Sequence, residues 1–507
     1  MKELYACLCA KEFPVQALLR LRPEMREQSC AVLEGEPPLE VVCSLNRRAR
    51  SLGVARGISK VEVETLPDVT LLRRSRDEEA AAKAALLECA GGFSPRVEDA
   101  SRDGLFLCAV DIAGTEKLFG APEVLARNLL QRVWALGISA CVAVSGNFHA
   151  AMTMARGLTP RTRVRVIEPG EEAEALAELP LAVLEMSEEQ AEVFGLWGIR
   201  TLGMLASLPE KELIARMGQA GGRLRQMARG ERRHLLQPQE MPFALEERME
   251  LEAPVEALDA LLFAANRMLE QLTMRASARV LALESVTVEM TKEGGGQHVR
   301  TVRPALPSNE RTLWLKLLQL DLEAHPPAAA IVGMALRAEP GSTSKVQMGL
   351  FSPQLPEASR LDVTLARIRA MVGEENAGRA VLEDTHRADG FRMEAFSVPA
   401  TQAVAATQAA VGAAASTRAG TRRLRPAERV RVTLAEGRPK AFVFRERRYR
   451  VDRAYGPWLT SGEWWNASLW GCEEWDAMAR AEDRSPLCCR LVRDVLRDEW
   501  RMAALYD

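Results

Sequence analysis

Histidine and tyrosine are scarce in this chain: five and four residues among 507. Cysteine is present ten times, at positions 7, 9, 30, 43, 89, 108, 141, 472, 488 and 489, but never as a CxxC pair. Neither a zinc site nor a disulfide framework is expected from such spacing. Reduced thiols in a cytoplasmic protein are the better reading. No run of about 18 large apolar residues occurs. The uncharged stretch at 400–417 is built of Ala, Thr and Gln with a few valines and one glycine, which excludes an ordinary membrane span. The opening MKELYACLCAKEF has no long apolar core and meets Lys11 and Glu12 early, so no signal peptide is expected. An excess of positive charge is lacking too. The net charge is −2, from 67 basic and 69 acidic residues. Any nucleic-acid contact must come from local patches.

What is present is organisation. Short apolar strands at 2–9, 28–33, 40–44, 105–114 and 140–145 alternate with helical segments, which predicts an α/β region to about residue 170. From 171 to 240 the pattern is helical. Within LWGIRTLGMLASLPEKELIARMG, Gly198 and Gly203 mark tight turns between short apolar helices. This predicts a helix-hairpin-helix unit whose backbone N–H groups face a phosphate. Residues 243–340 read as α+β, with helices over 255–275 and 308–323. Residues 397–425 lack acids and aromatics and read as a linker. The tail from 426 holds six of the nine tryptophans and three of the four tyrosines. Trp464, Trp465, Trp470 and Trp475 form either a small core or a partner surface, and Tyr449 among arginines is a candidate for touching nucleic acid. Arginines cluster at 47, 48 and 50, at 73, 74 and 76, and at 223, 225, 229, 232 and 233. Their planar forks suit phosphate.

The ordered run of motifs carries a resemblance. CSLNRRARSLGVARGIS (43–59) resembles the fingers motif of the Y-family DNA polymerases. SPRVEDASRDGLFLCAVDIAGTEKLFG (94–120) resembles their catalytic palm segment, and VAVSGNFHAAMTMARG (142–157) the next palm motif. The helical segment ends in MARGE, as in that family. The likeness runs over nearly the whole chain and is greatest to the non-catalytic subunit of bacterial mutasomes. It implies an α+β multidomain fold. The palm is expected at 1–12 and 67–170, the fingers at 13–66, the thumb at 171–240 and the little finger at 241–345. A clamp-binding segment (346–395), a linker (396–425) and a C-terminal partner-binding domain (426–507) would follow.

The resemblance also implies where catalysis should sit. Nucleotidyl transfer needs two magnesium ions about 4 Å apart, held by carboxylates. The opening strand, Leu4 to Ala10, offers none. Asp103 is the residual metal-ligand position, and Gly104 stands where glutamate is expected. Arg47 replaces the fingers tyrosine, Arg50 is kept, and Met152 replaces the palm lysine. Glu98, Asp99 and Asp111 read as surface or capping groups. The expectation is no enzyme activity, no catalytic residue, no metal and no cofactor. The rival readings are an active polymerase with relocated carboxylates, or a structural DNA-binding protein.

Gln347-Met348-Gly349-Leu350-Phe351 fits the Gln-x-x-Leu-Phe pattern that enters the pocket of bacterial sliding clamps. Leu350 and Phe351 would fill an apolar pocket and Gln347 would orient the peptide. A similar string at Gln319–Leu322 lies in an apolar-periodic helix and reads as core. The partners implied by the resemblance are the β sliding clamp, an error-prone replicative-type polymerase α subunit, a RecA-like protein of the ImuA type, and damaged primer–template DNA, with no membrane. The phosphate-contact candidates are Arg47, Arg48, Arg50, Gly198, Gly203, Arg223, Arg225 and Arg229. The expected place is the cytoplasm, at the nucleoid.

Overall fold

The computed structural model describes residues 3–240, 243–304, 306–342, 420–462 and 470–506, and within 364–394 the residues 364–365, 367–369, 372–373, 376–382 and 390–394. Two compact units emerge, Met1–Ala370 and Met371–Asp507.

The first unit opens with β1 (Tyr5–Lys11) and α1 (Phe13–Arg20). Next come β2 (Ser29–Glu34), β3 (Val41–Leu45), α2 (Arg47–Ser51), α3 (Lys60–Glu64) and β4 (Val69–Arg73). After α4 (Arg76–Gly91) follow β5 (Val97–Asp99), β6 (Leu105–Asp111), α5 (Glu116–Phe119), α6 (Pro122–Ala135), β7 (Cys141–Ser145), α7 (Phe148–Gly157) and β8 (Val164–Val166).

Five of these strands form one sheet in the order β5-β6-β1-β7-β8. The central strand is β1, antiparallel to both neighbours. Ala6, Leu8 and Ala10 face α4 and α6. Tyr5, Cys7 and Cys9 face α7 and the helices that follow. Both faces are covered, so every residue from Tyr5 to Ala10 is buried, and only apolar side chains or thiols are tolerated there. A smaller sheet, β3-β2-β4, packs its own core from Leu33, Val42, Leu45 and Val54. It takes in β4, so this small sheet runs past residue 66 to Arg73. The strand pairs parallel to β2, a long-range contact that local patterning does not reveal.

Residues 172–228 form α8 (Glu172–Leu176), α9 (Glu188–Leu196), α10 (Leu202–Ser207) and α11 (Glu210–Ala228). Gly218 breaks α11 with φ of 64°. A left-handed residue at that point suits glycine because it has no Cβ.

The next layer is β9 (Leu245–Val255), α12 (Leu258–Ala278), β10 (Leu281–Lys292), β11 (Gln297–Val302), α13 (Arg311–Ala324) and β12 (Ile331–Ser342). Its strands order as β11-β10-β12-β9. From Val286 to Met290 the burial of β10 alternates, as a sheet with one packed face requires. Both helices share its core around Trp314, Met268 and Leu269.

The second unit contains the pair β13 (Arg379–Leu382) and β14 (Phe391–Glu394), then β15 (Thr421–Arg429), β16 (Arg431–Ala435), β17 (Arg438–Phe444), β18 (Arg447–Ser461), β19 (Gly471–Ala481), β20 (Pro486–Asp494) and β21 (Glu499–Tyr506). The last seven form one antiparallel sheet, β15-β21-β20-β19-β18-β17-β16. Its edge strands, β15 and β16, are separated in sequence by Val430 alone. Edges of a flat seven-stranded sheet would stand about 29 Å apart, at roughly 4.8 Å per strand. The sheet must therefore curl until its edges meet at Val430.

Two expectations are corrected here. The expected linker ends before Thr421, because pairing with β21 recruits 421–429 into the sheet. Tyr449, a candidate for touching nucleic acid, is instead buried in the core of this sheet and stacks on Phe442 with ring centres 5.1 Å apart. Of the two readings open for Trp475, its burial in the same core favours the small core. Trp464 and Trp465 lie outside the described residues. No helix among the described residues is long and apolar enough to cross a membrane.

Candidate active site and nucleic-acid interface

The register of β1 against β6 defines the face covered by α7, where Cys9 pairs with Leu107 and Cys7 with Ala109. Phe148, Ala151 and Met152 of α7 belong to the same core as Cys7 and Cys9. Burial pushes the Cys9 thiol up to about 12 and Cys7 well above its ordinary range. The face is thus hydrocarbon and neutral thiol.

Asp103 stands in the turn before β6 and not on the strand. Its carboxylate is 65% exposed and is held by Arg74 at 2.6 Å and by Arg76. Hydrogen bonds from Arg74 first, then Arg76, hold it at about 2. That pairing contributes stability above the ordinary aspartate range and loses it as pH falls toward 2. The Arg74 guanidinium also holds Glu34 at 2.7 Å and Glu79 at 2.6 Å. The other carboxylates are engaged as well. Asp111 meets Arg96 at 2.9 Å, Asp99 meets Lys83, and Glu98 meets His234 at 2.9 Å. Two magnesium ions need several converging oxygens. Among the described residues no three His, Cys, Asp or Glu side chains converge to hold a metal. The side chains present do not fit the metal pair.

Beside the β3-β2-β4 sheet, Glu12 is a hub that sequence reasoning missed. Its carboxylate pairs with Arg50 and with Arg56, the latter at 2.9 Å. It also accepts from Ser44 Oγ at 2.9 Å and Leu45 N at 3.2 Å. Those partners lie 32 to 44 residues away, so no local pattern could announce them. Arg50, expected to face phosphate, is thus paired, and shares that carboxylate with Arg56. Arg48 pairs with Glu27. Arg47 is exposed and joins no ion pair among the described residues.

In the helical segment the expected phosphate cradle is filled by protein. Leu202 N donates to Leu179 O, Gly203 N to Ala177 O, and Met204 N to Thr201 Oγ1. Gly198 N donates to Gly195 O. Gly203 is small because Ala177 leaves no room: a Cβ there would come within 3.1 Å of it. Neither glycine presents a free N–H, which corrects both assignments. Arg225 Nε braces Leu208 O at 2.7 Å and Arg229 pairs with Glu231 at 2.7 Å. Arg223 and Arg233 are exposed and join no ion pair among the described residues. The sequence signal missed was MGQAGGR, where the Gly218 break restarts a helix that carries Arg223 at its outer side. The peptide Gln347, Met348, Gly349, Leu350 and Phe351 lies outside the described residues.

Comparison with known proteins adds the relationship. Residues 8–156 match the model of the impB/mucB/samB family. Protein ImuB of Caulobacter vibrioides is 25% identical over 420 residues, 80% of this chain and 86% of the relative. DNA polymerase IV of Dehalococcoides mccartyi is 27% identical over 202 residues, 39% of this chain and 50% of that relative. The crystal structure of DinB from Sulfolobus solfataricus aligns with 66% of this chain and 98% of its own, at 17% identity and a TM-score of 0.41. Residues 8–156 thus form an impB/mucB/samB-type domain, and the chain is similar to protein ImuB over four fifths of its length.

Proposed function

We propose that this chain is a non-catalytic adaptor in damage-induced translesion synthesis. The observation that carries the reading is the central strand: Cys7 and Cys9 stand opposite Ala109 and Leu107, buried under α7, and the nearby carboxylates are held by arginines, Glu12 by Arg50 and Arg56 and Asp103 by Arg74 and Arg76. Primed template, magnesium or manganese and all four nucleotides should give no extension with the purified chain. Similarity to DNA polymerase IV favours the rival reading of an active enzyme. Extension that disappears on Asp103→Ala would establish that rival and overturn ours.

In this reading the chain holds the β sliding clamp through Gln347–Phe351. It brings there an error-prone replicative-type polymerase α subunit and a RecA-like ImuA-type protein, at damaged DNA of the nucleoid. Duplex DNA is met through exposed arginines. Each phosphate neutralised on a duplex changes the log–log salt slope by about 0.9. Arg223→Ala with Arg233→Ala should flatten that slope for a primer–template by about 2. Identical slopes in wild type and the double variant would remove this segment from the DNA interface.

A further inference from the structure

Strand β18 reads RRYRVDRAYGPWLTS, and its pairing with β17 and β19 sorts it into two faces. Tyr449 points inward to the core. Bulges after Val451 and after Tyr455 reset the alternation, so Arg448, Arg450, Arg453, Tyr455 and Trp458 fall on the outer face. All five are exposed, Tyr455 by 50% and Trp458 by 46%. The neighbouring strand β17 offers only Ala441 and Val443 opposite Arg450 and Arg448. Beyond Val443 stands Arg431 of β16. Small side chains between arginine-bearing strands leave a shallow, open floor.

The charge pairing is unusual within this sheet. Between β19 and β20, an outer charge faces its opposite: Asp476 against Arg490. Between β18 and β19, Arg450 directly faces Arg480. Like charges in directly opposed positions destabilise a sheet. Asp452 answers Arg480 at 2.8 Å. Arg431, Arg448, Arg450 and Arg453 join no ion pair among the described residues. At the aromatic end, Asp476 and Glu474 are both held by Arg490, whose guanidinium also lies 5.8 Å from the Trp458 ring centre. Unanswered positive charge thus lies beside two exposed aromatic rings.

We infer that the outer face of β16–β18 is a binding surface for single-stranded nucleic acid, with phosphates on the arginines and bases stacked on Tyr455 and Trp458. Arginines alone would suit any polyanion. The rings select unstacked bases, because every base has a face to stack and a duplex keeps its faces hidden. Ten residue steps of strand span about 30 Å, room for about 4–5 nucleotides, at the low end of the range for curled sheets of this size. Bulges that re-aim side chains are frequent beside binding sites.

The test uses the full chain with a fluorescent twelve-nucleotide oligo(dT) and a duplex of equal length, followed by anisotropy. Changing Arg448, Arg450 and Arg453 to Ala should flatten the single-strand salt slope by about 2, at roughly 0.7 per phosphate. Tyr455→Ala with Trp458→Ala should weaken single-strand binding at least fivefold with the slope unchanged. Duplex binding should stay as in wild type in both variants, and Tyr455→Phe should bind normally. Equal single-strand affinity and slope in wild type and both variants overturns the inference. So does a poly-glutamate peptide that displaces the oligonucleotide as effectively as unlabelled oligo(dT). Circular dichroism checks the fold. Should a variant unfold, photo-crosslinking of wild type to an iodouracil-bearing strand decides: crosslinks within 448–458 support the inference, and crosslinks confined to other segments overturn it.

Discussion

Glu247→Ala should loosen the docking of the 245–342 layer on the N-terminal sheets by about 3–5 kcal/mol. Glu247 is fully buried and lies between two buried guanidinium groups, Arg20 and Arg275, the latter at 2.9 Å. Arg275 also reaches Glu88 at 2.7 Å. A second buried pair, Arg22 with Glu78 at 2.7 Å, lies alongside, and Glu78 accepts from Glu250 N at 2.9 Å. Removing Glu247 strands the Arg20 cation in low dielectric, while Arg275 keeps Glu88, and the desolvation of Arg20 sets the magnitude. Glu247→Gln should cost less, because the amide oxygen still accepts a hydrogen bond. Replacing Arg20 and Glu247 together by Met and Leu should come close to neutral, because Arg275 keeps Glu88 and no buried charge is left unpaired. Hydrogen exchange on peptides from β9 and α12 reads the effect locally, without assuming that the whole chain unfolds in one step. Unchanged protection in Glu247→Ala would mean that hydrophobic contact alone holds the layer.

The second large effect is expected at the clamp peptide. A short peptide makes few contacts, so its binding energy must concentrate in the side chains that enter a pocket. Leu350→Ala with Phe351→Ala should lower affinity for purified sliding clamp by thirtyfold or more, from about 2 kcal/mol per lost aromatic anchor. Calorimetry on the full chain measures it, with mutation frequency after ultraviolet damage scored for the same variant. Equal clamp affinity in both proteins would defeat the motif. Lost affinity with normal mutagenesis would defeat the clamp as the route to DNA. A chain cut before Thr421 should keep the clamp and lose the polymerase and ImuA-type partners; retention of both would reduce the tail to a structural role. The cut belongs there because one at 426 would leave half of β15 without its domain.

The sequence by itself determined the alternation of strands and helices and the lack of a carboxylate on β1. Apolar runs, caps and glycine stops are local: Asn46 caps α2 and Ser75 caps α4 with side-chain bonds made within three residues. Motif order is also local, which is why the polymerase resemblance was legible before any coordinates. Tertiary structure alone decided what became of the charges. Arg50 reads as a phosphate ligand until Glu12, 38 residues away, is seen to hold it. Asp103 reads as a residual metal ligand until Arg74, just after β4, and Arg76, at the start of α4, are seen to hold its carboxylate. Gly203 reads as a phosphate cradle until Ala177 O is found on its N–H. The curl of the C-terminal sheet was equally hidden, because it follows from the pairing of Thr421–Arg429 with β21, more than 70 residues on. An exposed arginine and a paired one look alike in one dimension. Only the fold sets how close the opposite charge comes, and Coulomb energy depends on that distance and on the water excluded from it.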